Sequence, residues 1–125
     1  MKILILALLL SFVGVANAQD TILYPSNSYS YGFGSMVSAH GSHLFISIRS
    51  GVGEAVYIFN KDGDEWIEET RLVAPDTIDD NCFGCAIAVS NNSIVIGASS
   101  DDENGVFSGA AYIFERENGS WLSQG

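Results

Sequence analysis

The chain has 125 residues, of which 15 are acidic and only 5 are lysine or arginine, so its formal net charge is −10. Nucleic acid and anionic membrane surfaces are poor partners for such a chain, because contacts with phosphate require lysine and arginine. The acidic excess leaves three interpretations open, which are solubility, cation binding and recognition of a basic partner.

Residues 1–18 have the pattern of a secretory signal peptide. Lys2 supplies the positive charge, residues 3–16 form an apolar run, and Ala16-Asn17-Ala18 is a small-residue cleavage site before Gln19. The run is too short for a comfortable membrane span, and a retained signal anchor is the alternative. We therefore expect a secreted, cell-surface or periplasmic protein that is not inserted in a membrane after cleavage.

The rest of the chain is predicted to be all-β. Short runs of β-branched and aromatic residues alternate with turn signals, and no helix is convincing. The predicted strands are 34–39, 44–49, 55–59, 65–73, 84–90, 93–98, 109–114 and a last one from residue 120. Asp62-Gly63 and Asn118-Gly119 lie between the third and fourth strands of each set, where a tight hairpin requires positive φ.

The strands fall into two copies of one pattern. Phe33-Gly34 and Phe83-Gly84 open the copies fifty residues apart, and each copy continues through an apolar strand and an aromatic strand to a tryptophan, Trp66 or Trp121. Such a period indicates a repeat architecture, and four strands per period is typical of a β-propeller blade. We predict about two blades of four antiparallel strands, which is a partial propeller, because closure takes about four to eight blades.

The predicted organisation is a signal peptide at 1–18, a lead-in segment at 19–32, a first repeat at 33–82 and an incomplete second repeat at 83–125. The two phenylalanines and two tryptophans of the pattern are predicted to form the core between blades rather than a ligand platform. The connection at residues 99–109 is longer than its counterpart at 50–54. Loops that lengthen at one blade position often mark the binding face.

The only cysteines, Cys82 and Cys85, flank the second Phe-Gly pair. They are compatible with a local disulfide, with two small buried side chains, or with redox or metal chemistry. The first copy has Gly32 and Ser35 at these places, so the repeat itself does not require cysteine.

From about residue 30 to residue 125 the chain resembles the FG-GAP repeat of integrin α-subunit headpieces and of many secreted bacterial proteins. The second copy carries the resemblance best, with Phe83-Gly84, the strand at 94–98 and the strand at 109–114. Ser99 stands where the family usually has proline, and the first copy has Ser47-Ile48-Arg49 in place of Gly-Ala-Pro. The resemblance implies a β-propeller and a role in cell adhesion or protein recognition.

The calcium loop of the family does not carry over. In calcium-binding blades an acidic loop joins the first two strands, but here those hairpins contain no carboxylate. The acidic cluster Asp101, Asp102, Glu103 and Asn104 lies in the next loop, where adjacent side chains cannot easily point at one ion. These four are candidates for weak Ca²⁺ contact only, the alternative is a solvated acidic loop, and no other cofactor is expected. His40 and His43 are too few for a closed zinc site.

The sequence contains no recognisable catalytic constellation, so we expect a non-catalytic module that binds a protein or glycan. The alternatives are a part of a larger secreted propeller enzyme, such as a hydrolase or lyase, and a truncated non-functional reading frame. Two blades do not close a propeller, and we therefore expect the chain to need further blades or self-association.

Overall fold

A computed structural model describes residues 21–26, 31–49, 53–75 and 81–125. Within these ranges the chain forms eight strands and no helix, so the prediction of an all-β chain is confirmed. The strands are β1 (Val37–His40), β2 (His43–Ile48), β3 (Ala55–Asp62), β4 (Glu65–Leu72), β5 (Phe83–Ser90), β6 (Ser93–Ala98), β7 (Ala110–Glu117) and β8 (Ser120–Ser123). The predicted signal peptide lies outside the described ranges, and none of the described residues belongs to a helix that could cross a membrane.

The strands form two four-stranded sheets in the order of the chain. Sheet 1 is β1-β2-β3-β4 and sheet 2 is β5-β6-β7-β8, and every neighbouring pair is antiparallel. This is the predicted arrangement of two blades with four strands each. Antiparallel neighbours can be joined by short hairpins, since a turn of two residues is enough to connect them.

Three strand boundaries differ from the sequence prediction by three residues. β3 and β7 run on to Asp62 and Glu117, three residues past the predicted ends, because their polar residues still pair across the tight hairpins to β4 and β8. β1 begins at Val37 rather than at residue 34. Gly32 and Gly34 have φ of 70° and 88°, outside the extended region of a regular strand, and at the equivalent Gly84, with φ of 90°, the pairing of β5 is interrupted between Phe83 and Ala86.

The main core lies between the two sheets. The face of sheet 1 that packs on sheet 2 is called the trailing face of sheet 1, and the face of sheet 2 that packs on sheet 1 is called the leading face of sheet 2. By repeat position, the opposite face of sheet 1 is its leading face and the opposite face of sheet 2 is its trailing face. The buried members of this core are Phe45, Val56, Ile58, Leu72 and Ala74 on one side and Phe83, Ile94, Ile96, Ala98 and Phe114 on the other. Trp121 packs against them, so the predicted inter-blade role of Phe83 and Trp121 is confirmed.

A second core lies on the leading face of sheet 1. Its buried members are Ile46, Ile48, Ala55, Tyr57 and Phe59, and Leu23, Phe33, Leu44 and Trp66 pack against them. Phe33 and Trp66 were predicted to lie between blades, but within the described ranges they lie on the face turned away from sheet 2. Leu23 of the lead-in segment, and not a residue of sheet 2, packs against this leading face.

The leading faces of the two sheets repeat the same ring geometry. Phe33 meets Tyr57 edge-on at 5.8 Å between ring centroids, and Phe83 meets Tyr112 in the same manner at 5.4 Å. The contacts of these phenylalanines with the next aromatic residue, Phe59 or Phe114, measure 6.1 and 6.3 Å. The two copies therefore have the same structure, and residues at equivalent positions can be compared directly.

Candidate functional site

The longest described connection within a sheet, residues 99–109 between β6 and β7, is built around a buried carboxylate. Asp101 is only 1% exposed, and a charge is tolerated there only when it is hydrogen-bonded. Its Oδ2 accepts from the hydroxyl of Tyr112 at 2.9 Å and from Nδ2 of Asn81 at 3.4 Å, and its Oδ1 accepts from the backbone N–H of Glu103 at 3.1 Å. The Asp101 side chain thus joins the loop to β7 and to the segment that leads into β5.

Backbone hydrogen bonds close the base of the same loop. The carbonyl of Asp101 accepts from the N–H of Gly109 at 2.9 Å, which brings the two ends of the loop together. The N–H of Ser100 donates to the carbonyl of Asn81 at 3.0 Å, and Oδ1 of Asn81 accepts from the N–H of Phe83 at 3.1 Å. The loop base is consequently tied to the entry of sheet 2, not only to its own strands.

Donors around the carboxylate lower the pKa of Asp101 below its ordinary value. The largest cause is the backbone N–H of Glu103 and the next is the hydroxyl of Tyr112; burial acts in the opposite direction, and Asn81 adds a smaller lowering. Hydrogen bonds to the charged form of an acid favour that form. Asp101 is therefore ionised at neutral pH and acts as a structural acceptor.

The tip of the loop carries two large apolar side chains into solvent. Val106 is 83% exposed and Phe107 is 72% exposed. Phe107 has a φ of 53°, and its N–H donates to Oδ1 of Asp102. The N–H of Ser108 donates to the carbonyl of Gly105 at 3.0 Å. The exposed pair thus stands on a loop that is braced by its own hydrogen bonds.

The proposed Ca²⁺ candidates do not converge on one point. Asp101 faces inward and Asp102 is engaged with the Phe107 N–H, whereas Glu103 and Asn104 are exposed. No group of three or more His, Cys, Asp or Glu side chains that could hold a metal ion occurs in the described ranges. The alternative of a solvated acidic loop is wrong for Asp101, because the hydroxyl of Tyr112 and the amide of Asn81 satisfy its carboxylate inside the fold.

The two histidines are used separately. Nε2 of His40 accepts from the backbone N–H of Asn91 at 3.2 Å, which links the first hairpin of sheet 1 to that of sheet 2. Nε2 of His43 lies 3.1 Å from Oε2 of Glu69, and Arg116 donates to the other oxygen of Glu69 at 2.8 Å. The histidines therefore join the sheets at their edges and do not form a shared ligand pair.

Cys82 and Cys85 form a disulfide, with their Cα atoms 5.6 Å apart. The turn that they close is the one found in the first copy. The N–H of Cys85 donates to the carbonyl of Cys82 at 3.1 Å, and the N–H of Ser35 donates to the carbonyl of Gly32 at 3.2 Å. Among the three alternatives for the cysteines, the structure supports the local disulfide, which reinforces a turn that the repeat already makes.

Two packed sheets of four antiparallel strands, each entered through a Phe-Gly turn, define a protein built from propeller-type blades. Residues 66–114 match the FG-GAP repeat family, so the chain contains an FG-GAP repeat. The matched stretch begins in β4 and ends in β7, so one sequence unit spans both sheets and the core between them. No curated protein and no solved structure matched the chain in the comparisons made with it.

Replacement of Asp101 by asparagine is expected to lower stability at neutral pH and to flatten the acid limb of the stability profile. A carboxylate whose pKa is lowered by folding stabilises the native state above its unfolded pKa, and this contribution is lost as the pH falls through the folded pKa. Urea unfolding from pH 7 down to about 3 should therefore show wild type and Asp101→Asn converging in acid.

Glu103→Gln is the matched control for that comparison, because Glu103 is an exposed carboxylate in the same loop. It should leave the neutral stability and the acid limb close to those of wild type. An Asp101→Asn protein that is as stable as wild type at pH 7 would rule out the structural role of the Asp101 carboxylate.

Proposed function

We propose that this FG-GAP repeat protein is a non-catalytic protein-binding or adhesion module that acts outside the cytoplasm, and that the tip of the 99–109 loop is its contact surface. The observation that carries this proposal is the exposure of Val106 and Phe107 together on a braced loop. Aromatic side chains dominate the energetics of protein interfaces, and exposed neighbouring apolar residues often mark interaction sites.

The bracing of the loop favours binding. Association costs free energy for every flexible group that it immobilises, and a loop already held in shape avoids part of that cost. The hydrogen bonds of Asp101 and Asp102 hold the base and the tip before any partner arrives. A loop of this kind can present Phe107 as a preformed anchor.

The surroundings of the anchor indicate the chemistry of the partner. Asp102 and Glu103 are exposed beside the apolar pair, in a chain whose formal net charge is −10. Complementary charge steers encounters and excludes wrong partners. The partner surface that fits is an apolar pocket with a basic rim, which favours a protein over a neutral glycan.

Action outside the cytoplasm is supported by the signal-peptide pattern of residues 1–18, and adhesion by the resemblance of the repeats to those of integrin α-subunits. Binding without catalysis is supported by the charged side chains at the sheet edges, because they are hydrogen-bonded within the protein. His43, Glu69 and Arg116 are engaged with one another, and the Asp101 carboxylate is engaged within its loop.

The test is capture from the extracellular protein fraction of the native source by the immobilised chain, followed by affinity measurement for each captured protein. Phe107→Asn removes the ring while asparagine tolerates the positive φ of this position. Tyr24→Asn is the matched control, because Tyr24 is another exposed aromatic residue, in the lead-in segment. We expect Tyr24→Asn to bind like wild type and Phe107→Asn to lose about 30-fold in affinity, the size of a typical hot-spot effect.

Equal affinity of wild type and Phe107→Asn for every captured partner would contradict the assignment of the loop tip. Turnover of a substrate by the purified chain would contradict the non-catalytic part of the proposal.

A further inference from the structure

The interface between the two sheets has an uncovered counterpart on the trailing face of sheet 2. In sheet 1, Phe45 and Ile58 pair in register on the trailing face, and both are buried. The equivalent pair in sheet 2 is Val95 and Ile113, which are 40% and 47% exposed. The same repeat positions are thus covered in one copy and open in the other.

The other half of the interface is uncovered at the entry of sheet 1. Phe83 and Gly84 are buried against sheet 1, and a Cβ atom on Gly84 would lie 2.8 Å from Cβ of Ser47. The equivalent Phe33 is only half-buried, and Gly34 is exposed, with no atom within 4 Å of its Cβ position. Val37, in β1 on the same face, is 58% exposed.

The open face of sheet 2 also has room for a Phe-Gly turn. A depression of about 370 Å³ lies on it, lined mainly by small residues that include Ala86, Gly97 and Ala111. Gly97 and Ala111 take the places that Ser47 and Val56 hold in sheet 1, where the Gly84 turn seats. An apolar cavity of about 150 Å³ can hold a benzene ring, so this space accommodates a phenylalanine side chain.

We propose that the trailing face of sheet 2 binds the entry of sheet 1 in a second copy of the same chain, in the way that sheet 2 docks on sheet 1 within one chain. The occupant is a second copy because this chain itself carries the complementary half, the Phe33-Gly34 turn and Val37. The contact is head-to-tail, so it repeats from copy to copy until the assembly closes. Propellers have about four to eight blades, and the two sheets that the structure describes in each copy therefore predict two to four copies.

The internal interface also sets the limits of the contact. Ile67 of β4 remains 48% exposed although sheet 2 covers the inner strands of sheet 1. Its equivalent Leu122 in β8 is therefore outside the proposed contact. On the other side, the cluster on the leading face of sheet 1 is already buried, with Leu23 packed against it. The incoming copy therefore contacts the open edge at Phe33 to Val37. This self-association uses strand faces and does not depend on Phe107.

The test uses two variants of the purified chain, each blocked at one half of the contact. Val95→Glu places a charge on the trailing face of sheet 2, and Val37→Glu places one at the entry of sheet 1. By sedimentation velocity and light scattering we expect wild type to form a closed assembly of two to four copies and each variant to be monomeric. In an equimolar mixture, the intact entry of sheet 1 in Val95→Glu can bind the intact trailing face of sheet 2 in Val37→Glu. The mass should therefore rise twofold, to that of a dimer, and no further.

Ile67→Glu is the matched control, because it adds the same charge to a similarly exposed strand residue outside the contact, and it should assemble like wild type. Circular dichroism and a cooperative unfolding transition establish that each variant is folded. The proposal is overturned if wild type is monomeric at all concentrations, if Val95→Glu still assembles, if Val37→Glu alone forms dimers, or if the mixture stays monomeric. A wild-type assembly whose mass keeps increasing with protein concentration would show that the assembly does not close.

Discussion

Ile58→Ala is expected to cost about 2–5 kcal/mol of unfolding free energy, whereas the same substitution at the equivalent Ile113 should cost about 1 kcal/mol or less. The two isoleucines occupy the same position of the repeat, in β3 and β7. Ile58 is buried between the sheets, and its removal leaves a cavity among Phe45, Val56 and the leading face of sheet 2. Ile113 is about half exposed, so its truncation creates no cavity.

The measurement is urea unfolding of both variants at a protein concentration where the chain is monomeric. The difference between the two variants reports the packing of sheet 2 on sheet 1, because sequence context and strand position are matched. Equal losses at the two positions would mean that the trailing face of sheet 1 is not covered as described.

The strands were predictable because their determinants are local. Hairpin turns with glycine or asparagine, and β-branched runs between them, specify antiparallel neighbours whatever lies around them. Asn91 and Asn118 indeed adopt positive φ at their turns. The boundary errors arose at Asp62 and Glu117, where polar residues continue a strand pair whose side chains face solvent.

The faces that each sheet buries were less predictable. Phe33 and Phe83 have the same local pattern and the same contacts within their own sheets. Only the presence of sheet 1 in front of Phe83, and its absence in front of Phe33, makes one of them part of the inter-sheet core. Whether such a phenylalanine is buried depends on the neighbouring sheet, and the sequence of the repeat alone does not indicate it.

The role of Asp101 could not be derived from the acidic run that contains it. Its partners Tyr112 and Asn81 lie 11 and 20 residues away in the chain, and burial of a carboxylate is determined by such distant donors. One signal was available, since the longer loop needs an internal brace and Asp101 is its first acid. The exposed Val106 and Phe107 could have been noticed as large apolar residues in an otherwise polar loop.

The second large effect is expected at the Phe-Gly turn of sheet 2. Gly84→Ala should destabilise the chain by roughly 2–5 kcal/mol, from about 1–2 for a side chain at positive φ and about 1–3 for overpacking. Gly84 has a φ of 90°, and a Cβ there would lie 2.8 Å from Cβ of Ser47 and 3.3 Å from Cγ2 of Val56. Both neighbours are fully buried, so neither can move aside easily.

Gly34→Ala separates the two causes, because Gly34 has nearly the same φ, 88°, and nothing within 4 Å of its Cβ position. In monomeric protein it should lose only the conformational part, about 1–2 kcal/mol. The steric part at Gly84 should then be recovered by adding Ser47→Gly, since the equivalent position in sheet 2 is already Gly97. A double-mutant cycle by urea unfolding measures this coupling. If Ser47→Gly and Gly84→Ala prove additive, the alanine at position 84 does not press on Ser47, and the Phe-Gly turn is not the point at which sheet 2 seats on sheet 1.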